Sequence, residues 1–325
     1  SDITLGNGTL SSFTESSSTV YTATFTPSAQ GACTIDVAAG AYTDTVGNNN
    51  LAATQFNWTF DTVAPTLSNV SIASSNSTTT LAKINNVITL TMTANEAIQT
   101  PVVTFQCGGA AITNTSISYV NTSGNTWTAA YTANSSDTNG TVSYSIAFTD
   151  LAGNAGTAVT SGSGSVTFDK TAPTLAQISA VSTPSNDTTP SFIFTTDEAG
   201  TLTTNISQGF STSASVSTGS NQTITFNTLP EGTYSSKTIT VTDAAGNDTS
   251  LNIPTFVIDT TSPTMTITST TSGVSDGSTT NDATIALTFT SSEATANFAQ
   301  SDITLGNGTL SSFTESSSTV YTATF

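Results

Sequence analysis

The chain has 325 residues, with 21 acidic side chains against three lysines, no arginine and no histidine, for a formal net charge of −18. Nothing here neutralises phosphates, which excludes nucleic acid as a partner, and the imidazole and guanidinium groups that usually serve proton transfer and anion stabilisation are missing. Hydrophobic residues at 35% and aromatics at 8% suit several small cores rather than one large one, and no apolar run approaches the roughly 18 residues of a membrane span.

Residues 1–25 recur letter for letter as residues 301–325, so the sequence repeats with a period of 300. Internal periodicity of this kind decides the architecture before any single motif does. Taken in chain order, Tyr21–Phe25, Cys33–Val37 and Phe56–Phe60 alternate apolar and polar residues as half-buried strands do. They are followed by the linker Asp61-Thr62-Val63-Ala64-Pro65-Thr66. Next come Ile88–Met92, Val103–Cys107, Trp127–Tyr131, Val142–Phe148 and Val166–Phe168, then a second linker, Asp169-Lys170-Thr171-Ala172-Pro173-Thr174. Phe192–Phe194, Thr238–Val241 and Phe256–Ile258 lead to the third, Asp259-Thr260-Thr261-Ser262-Pro263-Thr264, after which Ile285–Phe289 opens the last stretch.

The linkers lie 108 and 90 residues apart, each interval the length of one small β-sandwich. No stretch has a helical period. The expected fold class is therefore all-β, tandem immunoglobulin-like β-sandwiches arranged end to end. Residues 64–171 and 172–261 are whole domains; 1–63 is the C-terminal part, and 262–325 the N-terminal part, of one further unit split by the 300-residue period. A frame that opens and closes inside a unit points to a repeating assembly.

The D-x-x-[AS]-P-T linkers, a late D-x-x-G-N turn (Asp44 to Asn48, Asp150 to Asn154, Asp243 to Asn247) and an early E-A loop (Glu96, Glu198, Glu293) recur through the chain. The combination resembles the bacterial immunoglobulin-like repeats of giant surface adhesins and biofilm-associated proteins. That resemblance covers the whole chain. It implies an extracellular or cell-surface location, a filament or rod of tandem repeats, copies of the chain as partners along or beside a fibre, and calcium at the junctions.

In such a sandwich, the loop after the second strand and the loop before the last strand lie where the chain enters, beside the preceding linker. Asp61, Glu96, Asp150 and Asn154 should thus converge at one junction, and Asp169, Glu198, Asp243 and Asn247 at the next. The third set is Asp259, Glu293 and the 300-residue image of Asp44 and Asn48. Three close carboxylates repel unless a cation joins them. Calcium accepts such irregular oxygen sets, while zinc is disfavoured without histidine or clustered cysteine. Lys170 could also relieve the second set. The competing reading is that these residues are turn formers for backbone reasons alone, and both readings stand at this point.

Cys33 and Cys107 fall on inward-facing positions and read as buried free thiols, with an inter-chain bridge as the alternative. Thirteen N-x-[ST] sites are a mild excess over chance and leave glycosylation open. Lys83 and Lys237 read as solvated, the alternative being an isopeptide link to asparagine. Trp58, Trp127, Phe105 and Tyr144 fall mostly on inward positions and read as core. The expected function is a structural repeat of a long extracellular fibre or rod, stiffened by calcium, and not an enzyme. The alternative is an adhesin module that binds carbohydrate or a surface receptor.

Overall fold

The structure, a computed structural model, describes residues 2–325. Five strands occupy the first stretch: β1 (Thr4–Gly6), β2 (Gly8–Ser17), β3 (Val20–Pro27), β4 (Gly31–Asp36) and β5 (Phe56–Phe60). They form a sheet ordered β1-β4-β5 and a separate β2-β3 hairpin.

The next domain has β6 (Leu67–Ser74), β7 (Leu81–Ala82), β8 (Val87–Ala94), β9 (Val102–Cys107), β10 (Ala110–Ala111), β11 (Ser118–Ser123), β12 (Thr126–Thr132), β13 (Gly140–Ala147) and β14 (Thr167–Phe168). Two sheets, ordered β11-β12-β8-β6 and β10-β9-β13-β14-β7, face each other. Their inner side chains interleave because period-two sequences turn every second residue inward. In β8, Ile88, Leu90, Met92 and Ala94 are buried and the alternate Val and Thr residues are not. On the opposite sheet Phe105, Tyr144 and Ile146 complete the core.

The third domain contains β15 (Leu175–Ser179), β16 (Ser191–Thr196), β17 (Gly200–Thr204), β18 (Ser215–Val216), β19 (Gln222–Thr225), β20 (Gly232–Tyr234), β21 (Lys237–Thr242), β22 (Asp248–Ile253) and β23 (Phe256–Ile258). Its sheets run β15-β16-β19 and β18-β17-β21-β22, with β20 paired to β23. They enclose a second core built on Phe192, Phe194, Phe226 and Phe256. The last stretch is a single sheet, β24-β25-β27-β26, of β24 (Met265–Ser269), β25 (Ala286–Ser291), β26 (Ser311–Ser317) and β27 (Val320–Thr324). A single 3₁₀ turn at Gln300–Asp302 is the only helical element among the described residues. The fold is all-β, of tandem Ig-like sandwiches.

Cys33 and Cys107 are both buried and unpaired. Burial, reinforced by the charge of Asp137, pushes the Cys107 thiol up to about 11. Phe105 and Tyr144 are core residues, but Trp58 departs from the inward expectation. It is only half-buried, met edge-on at 4.7 Å by Phe25 of the two-stranded β2-β3 sheet.

Leu90 has no solvent exposure. Leu90→Ala is expected to lower the unfolding free energy of its domain by about 2–5 kcal/mol in urea titrations. Leu51, 89% exposed, supplies the control: Leu51→Ala should stay within about 0.5 kcal/mol.

Candidate metal centres at the domain junctions

Each junction begins with a turn whose shape follows from its sequence. In Asp150-Leu151-Ala152-Gly153-Asn154 the backbone closes by Asp150 N–H donating to Asn154 O at 3.1 Å and Gly153 N–H to Asp150 O. Gly153 sits at φ +98°, a conformation that carries little strain only in glycine. The Asp150 carboxylate fastens the turn, accepting Asn154 N–H at 2.8 Å through Oδ1 and Asn154 Nδ2 at 2.7 Å through Oδ2. The turns at Asp243 and Asp44 repeat these bonds, with Gly246 at φ +93° and Gly47 at φ +92°. D-x-x-G-N is thus turn chemistry in all three places.

The linker aspartates are also turn formers. Asp61 Oδ1 accepts Val63 N–H at 3.0 Å, Asp169 Oδ1 accepts Thr171 N–H at 2.9 Å and Asp259 Oδ1 accepts Thr261 N–H at 3.2 Å. The closing Thr of each linker is latched to the residue ahead of the early-loop glutamate. Thr66 N–H donates to Asn95 Oδ1 at 2.7 Å, Thr174 N–H to Asp197 Oδ1 at 2.6 Å and Thr264 N–H to Ser292 Oγ at 2.8 Å. These bonds seat the linker against the loop after β8, β16 or β25.

Turn chemistry does not stop at the turn. Asn154 Nδ2 also donates to the carbonyl of Asp61 at 3.1 Å, and Asn247 Nδ2 to that of Asp169 at 3.1 Å. The result is two carboxylate clusters. Oxygens of Asp61, Glu96 and Asp150 lie within 4.8 Å of one another, and so do those of Asp169, Glu198 and Asp243. Asp150 is fully buried and the other five are half-buried. The first set lines a cleft of about 330 Å³ together with Thr59, Ala97, Leu151 and Ala152.

The third set comes together in part. Asp259 and Glu293 line one cleft of about 390 Å³ with Glu231. Asp44 and Asn48 form their turn elsewhere, in the open stretch before β5, exposed and bonded to each other.

The electrostatics of the clusters are uneven. Burial raises the Asp150 carboxyl, but hydrogen bonds from Asn154, Gly153 and Ala152 together outweigh it and hold the group below its ordinary range. Glu198 has no such support. Burial, then the charges of Asp169, Asp243 and Asp197, push its carboxyl up. Lys170 does not relieve this repulsion, because its ammonium donates to the carbonyls of Ser135 and Asp137 instead. Lys83 is not simply solvated either. It reaches across the second junction to the carbonyl of Gly246, beside the bond from Asn76 Nδ2 to Ala245 O.

Three further junction residues carry no metal-ligand signature in the sequence. Gln30 donates to Asp61 and accepts Thr62 N–H; Asn139 donates to Asp169 and accepts Lys170 N–H; the Glu231 carboxylate accepts from Thr260 and Thr261. Each precedes a glycine at the start of a strand, Gly31, Gly140 or Gly232, at φ +122°, +133° and +147°. A polar residue before glycine at these places is the only signal that could have found them.

A family model described as "Bacterial Ig-like domain" matches residues 1–60 and 259–325, and a second of the same description matches residues 175–260. The chain belongs to the bacterial Ig-like domains. Among solved structures it is similar in fold to an I-band fragment from titin (10% identity, 81% of this chain, 88% of that one, TM-score 0.38). It is similar also to a tetra-tandem repeat from the extending region of a large adhesion protein (19% identity, 90% and 75%, TM-score 0.28). No curated protein matches the chain.

An effect of pH follows from Glu198. In the unfolded chain it ionises near its ordinary value; in the fold it keeps its proton to higher pH. The stability gained from that proton is present below the unfolded value and is lost as pH rises through the folded one. Glu198→Gln behaves as a permanently protonated side chain. In chelator it should match the wild type in urea unfolding below about pH 4 and become the more stable of the two toward neutrality.

Proposed function

We propose that this member of the bacterial Ig-like domains is a structural segment of a long extracellular rod or fibre at a cell surface, stiffened at its junctions by calcium. The observation that supports this reading is the pair of carboxylate clusters. Each takes one ligand from the linker of one domain and two from loops of the next, so a bound cation would tie consecutive domains together. The donors suit calcium, a hard cation that gathers six to eight oxygens in irregular geometry from carboxylates and carbonyls. Asp61, Glu96 and Asp150 would hold it at the first junction, and Asp169, Glu198 and Asp243 at the second.

A divalent charge there would relieve the repulsion that Glu198 suffers and would hold the linker angle. Asn154 and Asn247 would orient the set through Nδ2, which donates to carbonyl and carboxylate oxygens, and each would still offer its Oδ1 as a ligand. Asp259, Glu293 and Asp44 with Asn48 would make a third such junction wherever the 300-residue period continues. Each sandwich would add about 40 Å to the rod, from strands of about seven residues and their loops. Extension is then the product, and catalysis has no part in it. The buried Phe105 and Tyr144 support the spacer reading over a binding module for carbohydrate or a receptor.

Calcium at about a hundred times its dissociation constant should add about 2.7 kcal/mol to a domain that binds it, raising the melting temperature. Glu96→Gln with Asp150→Asn should remove the response of the first junction, and solution scattering should show a longer, narrower particle with calcium than with chelator. An unchanged melting temperature in excess chelator would overturn the calcium reading.

A further inference from the structure

Two of the chain's three lysines stand at the second junction, and both give their ammonium groups to backbone carbonyls. Lys170, in the linker, donates to Ser135 O at 2.8 Å and Asp137 O at 2.6 Å. The loop it grips is fixed from within. Asp137 is 1% exposed, and its carboxylate accepts Thr113 N–H at 2.9 Å and Asn134 N–H at 3.0 Å. Asn139 holds the linker beside it, donating to Asp169 Oδ1 at 3.1 Å and accepting Lys170 N–H at 3.0 Å. The linker is thus fastened backward onto the domain of residues 64–171.

It is fastened forward as well. Asp169 O accepts Asn247 Nδ2 at 3.1 Å. Thr174 exchanges bonds with Asp197, its N–H donating to Oδ1 at 2.6 Å and its carbonyl accepting the Asp197 N–H at 3.3 Å. Asn247 and Asp197 both belong to the domain of residues 172–261.

A third set of contacts bypasses the linker. Lys83, between β7 and β8, donates to Gly246 O, and Asn76, between β6 and β7, donates to Ala245 O at 2.8 Å. Asn86 braces both donors, its Oδ1 accepting Lys83 N–H at 2.8 Å and Asn76 Nδ2 at 3.0 Å. Ala245 is 3% exposed although it belongs to neither hydrophobic core. A Cβ placed on Gly246 would meet Lys83 Nζ at 3.3 Å. The two domains therefore touch in a closed contact, not through one long side chain reaching across solvent.

We infer that these contacts lock the second junction without a cation, so that residues 64–261 move as one rigid two-domain body. The bonds close a ring: one domain to the linker, the linker to the next domain, and that domain back to the first. Domains joined by a linker alone swing relative to each other. Here a swing must open one whole side of the ring, and the other two sides keep its groups within reach of one another, so it recloses. The turn at Asp243–Asn247 is the corner where two sides meet. Asn247 takes the linker, while the carbonyls of Ala245 and Gly246 take the preceding domain. The same corner brings an oxygen of Asp243 within 4.8 Å of those of Asp169 and Glu198. A cation entering that cluster would find the angle already set, and any change of shape with calcium would fall to the other junctions.

The test is run on the full chain in excess chelator, where calcium plays no part. Ser143 and Asn252 are exposed strand residues, one in each domain, and Cys33 and Cys107 are buried. Ser143→Cys with Asn252→Cys therefore places one spin label on each domain of the folded chain, and the distance distribution between the labels should be single and narrow. Lys83→Met with Asn76→Ser removes the domain-to-domain side of the ring; the serine still supplies the oxygen that Thr78 N–H needs. That pair should broaden the distribution about twofold or more, toward the freedom of domains on a bare linker, with the β-sheet circular dichroism unchanged. Ala245→Glu wedges the same contact from the other domain and should broaden it likewise. Calcium added to the parent should leave the distribution as it was. A broad distribution in the parent, or one that either set of substitutions leaves narrow, would overturn the lock. A broad parent distribution that calcium narrows would overturn it too, while upholding the calcium reading.

Discussion

One side-chain amide sets the geometry of each complete junction. Asn154 and Asn247 donate both to the aspartate that closes their own turn and to the carbonyl of the preceding linker aspartate. A turn built for local reasons thereby grips the domain before it, and the direction in which the chain enters the next sandwich follows. The remaining bonds elaborate this hold. Asn95 and Asp197 latch the linker threonine from one side, and Gln30 and Asn139 clamp the linker aspartate from the other. The asparagine bonds are part-buried and contribute about 1 kcal/mol net each; the latches and clamps are exposed and add less, but together they restrain a linker that would otherwise swivel.

Turn chemistry leaves room for the proposed ion binding. The Asx turns at Asp61 and Asp169 use one carboxylate oxygen, and the residues still bring an oxygen to the cluster. Local backbone needs explain why aspartate, glycine and asparagine occur where they do. They do not explain why a glutamate from another loop lies beside them. Glu198, raised by burial and three neighbouring charges, is the residue for which no turn accounts.

The all-β class and the strand positions were readable because β8 and its counterparts alternate strictly, which leaves a helix no apolar stripe. The convergence of Asp61 with Glu96 and Asp150 was readable because sandwich topology brings those loops to one end. What escaped was chemistry without a residue-type signature. Gln30, Asn139 and Glu231 do one job with an amide, an amide and a carboxylate, so no pattern of types links them. The direction of Lys170 depends on the carbonyls of a loop more than thirty residues away, and the partial burial of Trp58 depends on Phe25 of another sheet. Both are properties of tertiary placement, invisible to periodicity.

The twice-written hairpin also bears on how such a chain is made. Its register, its irregularities and the positive φ of Asn7 and Ser12 recur at Asn307 and Ser312, whether or not other strands cover it. The pairing is therefore encoded within the segment, and a hairpin closes on a timescale of about 1–10 μs, far faster than a polymerising ribosome advances. Each copy can form as soon as it is synthesised and hold its register until distant strands arrive. The cost is ambiguity: when neighbouring copies are identical, nothing in the hairpin tells strands from one repeat which copy is theirs. Synthesis order, rather than sequence, must then assign partners during folding.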